Sequence, residues 1–246
     1  MHNGSQNRRN LARGPVIFLQ KLILGLSRYW YTLAILLAFG ILGLAFLAPA
    51  LMAAGEPQAG LTVYRWLAPH DHQLPQRSYF LFGAGAAVQS YSREQIIAWG
   101  ADPGNLRAFV GNPEIGFKMG LNHRMTAIFI AIFLGGLWWG GRRGHPRLDL
   151  VWLLLLSLPL LADGLSHTAS ERSGLGFRAV NGWAATLTGG AFSPEFYTGS
   201  TIGSLNWLLR TVTGLLFGLG LVWFLFTYLS NRFAQIRARL GLKLKR

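Results

Sequence analysis

Long uncharged apolar runs alternate along this chain with short basic or Gly/Pro-rich joints, and the run lengths are those of membrane spans. Residues 31–52 are free of charge for more than twenty positions, enough to cross a bilayer core, with Trp30 and Tyr31 as interfacial aromatics at one end. Ahead of them, residues 1–29 mix Arg8, Arg9, Arg13, Lys21 and Arg28 with Val16 to Leu19 and Leu22 to Leu24. That mixture predicts a helix lying in the headgroup plane. The first apolar run is too long for the core of a signal peptide, although Ala48-Pro-Ala50 and Ala53-Ala54 offer small residues for cleavage.

Three further spans are expected at 121–140, 148–168 and 208–229. The second carries His123 and Arg124 in its first turn. Asp163 and His167 fall near the end of the third, and Asn206 and Arg210 open the fourth. The long segments between them, 53–119 and 169–207, read as two cap loops resting on one face of the membrane. In the first, Ser92-Arg-Glu-Gln95 is a capping box ahead of Ile96 to Trp99, with Gly100 as its stop. Leu106 to Val110 is a second short piece, bracketed by the turns Asp102-Pro-Gly104 and Gly111-Asn-Pro113. Aromatic residues Tyr64, Trp66, Tyr79, Phe80 and Phe82 recur through this loop, and Phe177 to Leu187 forms an amphipathic stretch in the other. The expected fold class is therefore all-α: one polytopic membrane domain with about four spans and an interfacial N-terminal helix.

Composition agrees, with 51% hydrophobic and 13% charged residues, 31 Gly and nine Trp in 246 residues. The net charge of +14 raises the question of a nucleic-acid partner, but the basic residues flank the spans. The N-terminus, the 140s loop and the C-terminal tail together hold 14 Lys and Arg against Asp149 alone, whereas the cap side holds nine against eight acids. By the positive-inside rule both termini are expected to be cytoplasmic and the cap extracytoplasmic. Nucleic acid is excluded as a partner on that distribution, leaving lipids, other membrane subunits or a second copy. With no cysteine, disulfides, thiolate nucleophiles, iron–sulfur clusters and covalent haem attachment are ruled out.

The candidate chemistry centres on Asp163-Gly-Leu-Ser-His167. An acid and an imidazole four residues apart share a helix face. The apolar run before Asp163 spans roughly 23 Å of a core near 30 Å, so the carboxylate lies inside the membrane close to its far side. Arg124 comes to a similar depth on the preceding antiparallel span, where an ion pair relieves the cost of an isolated charge. Asp163 and His167, with His72 or His123 as a third ligand, have the residue types of a zinc site, against a plain ion-pair network. His123 and His167 on different spans also suit the two axial ligands of a b-type haem. Histidines in a loop, as His70 and His72 are, more often face solvent than ligate, and Arg77 and Arg172 suit plain interfacial positions. The glycines of Thr213 to Gly220 form a small-residue stripe for close helix packing.

These residues carry a resemblance. His72-Gln-Leu-Pro-Gln-Arg-Ser78 with Phe80-Leu-Phe-Gly83, then Arg124-Met-Thr-Ala-Ile128, Asp163-Gly164 and the stretch Asn206 to Gly214 resemble the uncharacterised bacterial family called domain of unknown function 2085, over roughly 61–229. The resemblance implies a multi-pass membrane protein without an established activity. Many relatives carry Cys at the positions of Asp71 and Asn122, and some carry Gln at that of His167, which counts against a ligand role for this histidine. It leaves His72, Arg77, Arg124, Asp163, Asn206 and Arg210 as candidates for a common site. Three functions stay open. The first is a membrane-embedded hydrolase acting on a lipid or amphiphile, with His72 and Asp163 managing protons or metal while Arg124 and Arg210, aided by Arg77 and Asn206, hold an anionic head. The others are a non-catalytic accessory subunit docking through the glycine stripe, and a small transporter.

Overall fold

The computed structural model describes residues 3–141 and 149–243, with side chains from Gly14 onward. The basic loop at 142–148, on which the expected orientation partly rests, lies outside the described residues.

Helix α1 runs without interruption from Asn3 to Ala53. The interfacial segment and the first span are thus one helix, where a break was expected near Trp30. Lys21 and Arg28 are good helix formers, and no proline falls between Pro15 and Pro49 to stop the turn-to-turn hydrogen bonding. Trp30 itself is buried, its ring 6.0 Å from Trp139 and 5.4 Å from Phe226. It packs into the interior of the helix bundle.

The first cap segment opens with α2 (Pro57–Leu67), which folds back on α1 through Val63, Tyr64 and Leu67 against Ala45 and Ala48. It continues with strands β1 (Ser78–Leu81) and β2 (Val88–Gln89), helix α3 (Arg93–Ala98), and strands β3 (Gly111–Asn112) and β4 (Gly116–Asn122). The strands form an antiparallel sheet in the order β2-β1-β4-β3, with a bulge in β1 between Ser78 and Phe80. This sheet corrects the expectation of helical pieces and turns alone. Gly116 enables it: with φ of +86°, it packs so tightly that an added Cβ would lie 2.6 Å from the Leu81 carbonyl oxygen. The expected capping box is present on α3, where Ser92 Oγ accepts from the Gln95 N–H (3.2 Å) and Gln95 Oε1 from the Ser92 N–H (2.9 Å).

Strand β4 passes directly into α4 (His123–Gly141), so Leu121 and Asn122, expected in the span, are strand residues. Helix α5 (Leu150–Arg172) follows the undescribed loop. The second cap segment folds into α6 (Phe177–Val180), α7 (Gly182–Leu187) and α8 (Pro194–Tyr197). Asn181, at φ of +42°, splits the expected amphipathic stretch, and its amide donates to the Tyr197 carbonyl (2.7 Å).

Helix α9 (Leu205–Leu221) runs through a π-helical segment, Val222–Phe226, into α10 (Thr227–Lys243), so the last helix continues well past Leu229. Among the described residues, four helices are long and apolar enough to cross a membrane: Gly14–Ala53, His123–Gly141, Leu150–Arg172 and Leu205–Lys243. The glycine stripe packs inside the bundle. A Cβ on Gly214 would lie 2.8 Å from the Arg124 carbonyl oxygen, one on Gly218 2.7 Å from that of Ile128, and one on Gly220 3.2 Å from Leu156 of α5. The first two contacts bring α9 against α4 and carry Arg210 toward the start of that helix.

Candidate functional site

Asp163 and His167 share the inward face of α5, with Nε2 of the histidine 3.8 Å from Oδ1 of the carboxylate. Both are buried. The expected pair with Arg124 is present: Nη2 of Arg124, reaching from the first turn of α4, donates to Asp163 Oδ2. Gly164 leaves room for it, since a Cβ there would lie 3.2 Å from Arg124 Nη1. A second guanidinium completes the carboxylate. Arg178, on α6 of the cap, brings Nη2 to 2.5 Å from Oδ1, and its backbone N–H donates to Ser170 Oγ of α5 at 2.9 Å. Each oxygen of Asp163 therefore accepts from a different arginine.

His167 lies between two guanidiniums, with its Nε2 3.2 Å from Arg178 Nη2 and 3.1 Å from Arg210 Nη2. Arginine has only donors, so Nε2 acts as the acceptor in both. Arg210, from the second turn of α9, is buried at 3% exposure. Its Nη1 has no hydrogen-bond partner among the described residues, and no carboxylate lies within ion-pair distance of it among them. Asn206, one turn earlier, uses its amide to tie the cap to α9, donating to the carbonyls of Arg178 and Gly199 at 2.6 Å each. Arg77, just ahead of β1, pairs with Glu171 at the end of α5. Burial first, and then the nearby charge of Arg124, lower the pKa of Arg77.

These groups line two chambers that share Arg77, His167, Glu171 and Arg210. One, of about 780 Å³, extends beneath α6 to Arg178 and Asn206. The other, of about 570 Å³, extends toward His72, Asp71 and Arg124. Six guanidiniums (Arg77, Arg93, Arg107, Arg124, Arg178, Arg210) line the two chambers against the carboxylates of Asp71, Glu94 and Glu171, so that even with Asp163 behind Arg124 and Arg178 the walls carry an excess of positive charge. Asp71 does not add a free carboxylate: its oxygens accept from the backbone N–H groups of Gln73 (2.5 Å) and Asn122 (2.8 Å), stapling the loop to β4.

The set His72, His123, Asp163 and His167, suggested by residue type for zinc, is not gathered into a ligand cluster. Among the described residues no three His, Asp or Glu side chains converge so as to hold a metal ion. His72 is exposed at the rim of the smaller chamber, and His123 is buried with its ring 4.4 Å from that of Tyr79. The Nε2 of His167, suggested as an axial haem ligand with His123, faces the guanidiniums of Arg178 and Arg210. Sequence reasoning missed Arg178 as part of the site. The available signal was a carboxylate at membrane depth beside a cap helix that carries one arginine among Phe177, Ala179 and Val180.

A separate buried cation occupies the cap. Lys118 of β4 donates from Nζ to the carbonyls of Gln73 (3.0 Å) and Arg107 (2.6 Å). Burial foremost, and then the Arg107 charge, push its pKa down to about 7.

No curated protein and no solved structure matches the chain. Residues 114–224 match a family model, that of the predicted membrane protein DUF2085, so the family matched is the one that the sequence motifs resemble, over a segment carrying Arg124, Asp163, His167, Asn206 and Arg210 but not His72 or Arg77.

Proposed function

We propose that this membrane protein binds a multivalent anion of the phosphate class in its arginine chamber, on the extracytoplasmic side of a bacterial cytoplasmic membrane. The observation that carries the reading is Arg210: a buried guanidinium with an unpartnered Nη1 and no carboxylate at ion-pair distance among the described residues. Leaving a charge in that state is costly, and an anion in the chamber supplies both the counter-charge and the missing acceptor. Arg124 and Arg178 keep unpartnered Nε groups in the same place, and planar guanidiniums suit the oxygens of a phosphate.

The geometry supports holding an anion better than hydrolysing its ester. Both oxygens of Asp163 are engaged with guanidiniums, which favours an anchoring role for this carboxylate over direct contact with a substrate. The accessory-subunit reading loses its docking surface, because Gly214 and Gly218 are used against α4. The test is thermal unfolding of the detergent-solubilised full chain with pyrophosphate against chloride at matched ionic strength. Pyrophosphate should raise Tm by mass action, and Arg210→Gln should abolish the shift. An unshifted Tm in the wild type, or a shift retained in the variant, would overturn the proposal.

A further inference from the structure

We infer that the anion is the head of a membrane phospholipid whose hydrocarbon chain lies in the apolar cleft between α5, α9 and the α6–α7 cap helices. This rests on the phosphate-class reading of the arginine chamber and names its ligand.

The cleft, of about 860 Å³, is walled by Pro159 and Ala162 of α5, Leu209 of α9, and Leu175, Val180 and Trp183 of the cap. Its polar end is formed by Asp163 and Arg178, and Arg178 also lines the larger arginine chamber. That guanidinium is the boundary: Nη2 faces Asp163 and His167, while its carbon lies 5.9 Å from the centroid of the Trp183 ring. A phosphate held by Arg178 and Arg210 therefore sits at the mouth of an apolar channel. A fully water-soluble anion would leave that channel without a use.

The cleft also lies where lipid is. Its α5 wall belongs to a candidate span whose outward residues, Leu154, Leu158 and Leu161 among them, are exposed hydrophobics. The cap segment beside it shows the same character, with Leu175 at 77% and Leu187 at 78% exposure. A cap facing water would bear polar residues there; this one presents a surface suited to hydrocarbon. Because bilayer chains are already in an apolar medium, placing one in the cleft adds little hydrophobic free energy. What the chain contributes is delivery, holding the head at high effective concentration beside the arginines.

The experiment uses nanodiscs of phosphatidylcholine holding a small fraction of lipid brominated on its chains, either phosphatidic acid or phosphatidylcholine, and follows the Trp183 fluorescence obtained by subtracting Trp183→Phe. Brominated phosphatidic acid should quench Trp183 severalfold more than the same fraction of brominated phosphatidylcholine. Unbrominated phosphatidic acid should reverse the excess, and Arg210→Gln should remove it. Equal quenching by the two lipids, with pyrophosphate still raising Tm, would overturn the lipid inference and leave the anion site standing. Equal quenching without a pyrophosphate effect would remove both. Excess quenching that survives Arg210→Gln would mean general attraction of acidic lipid to a basic protein, and would likewise overturn the inference.

Discussion

At Asp163 one carboxylate holds two arginines from different parts of the chain, which makes it the residue whose loss should be felt most. Asp163→Asn leaves Arg124 and Arg178 without their counter-charge, and the expected cost is about 3–5 kcal/mol. Adding Arg124→Gln or Arg178→Gln to Asp163→Asn should each recover part of that loss, with coupling visible in both double-mutant cycles of detergent stability. Additive effects in either cycle would show that its arginine is satisfied elsewhere. Lys118 supports a second expectation. Its pKa in the folded protein is about 7 against 10.5 for an ordinary lysine. Below the lower value both folded and unfolded chains carry the proton, and the penalty of burying the charge is complete. Between the two values the unfolded chain binds the extra proton, so stability should rise with pH by up to about 1.4 kcal/mol per unit. Above 10.5 no further change arises from this group. Lys118→Met should flatten the slope of unfolding free energy with pH between neutrality and pH 10; an unaltered slope would assign it to another group.

Among the elements, the α4–α9 contact leaves little room for change. Gly218→Leu would drive a side chain into the Ile128 backbone and the Ala131 methyl, and a loss of roughly 1–3 kcal/mol or more is expected from overpacking. Gly43→Ala, on α1 where nothing lies within 4 Å of an added Cβ, should be neutral or stabilising by up to about 1 kcal/mol through helix propensity. Thermal unfolding of the two variants checks the contrast, which would disappear if α9 could simply move away from α4. The spans were legible because hydrophobic length is a local property of the chain. The sheet was not: β2 and β3 have two residues each, too few to show an alternating period, and their pairing depends on turns that bring distant segments together. The same limit hid the packing of Trp30, whose partners Trp139 and Phe226 come from segments far apart in the chain.

For the whole molecule, orientation is the property on which the anion and lipid readings both depend for their biological setting. Single cysteines at Ser193 in the cap and Gln235 in α10, both exposed, should label differently with an impermeant thiol reagent applied to intact cells. Only the Ser193→Cys variant is expected to react from outside, because the positive-inside rule predicts that the opposite, basic-flanked face is cytoplasmic. Labelling of Gln235→Cys alone would invert the topology and put the arginine chamber against the cytoplasmic leaflet.

By itself the sequence determined that this chain is a helical membrane protein with four helices long and apolar enough to span a bilayer, that polar groups gather toward one end of them, and that Asp163 pairs with Arg124. Each follows from one-dimensional quantities: run length, helical spacing, rise per residue and the cost of an isolated charge in hydrocarbon. Only the tertiary structure decided that Arg178 supplies the second cation, that Arg210 is left with a spare donor beside His167, and that Asn206 holds the cap in place. It also decided that the glycine stripe of α9 is consumed within the fold. Those outcomes depend on how α6 docks against α5 and how closely α9 approaches α4, which are distances between segments far apart in the chain.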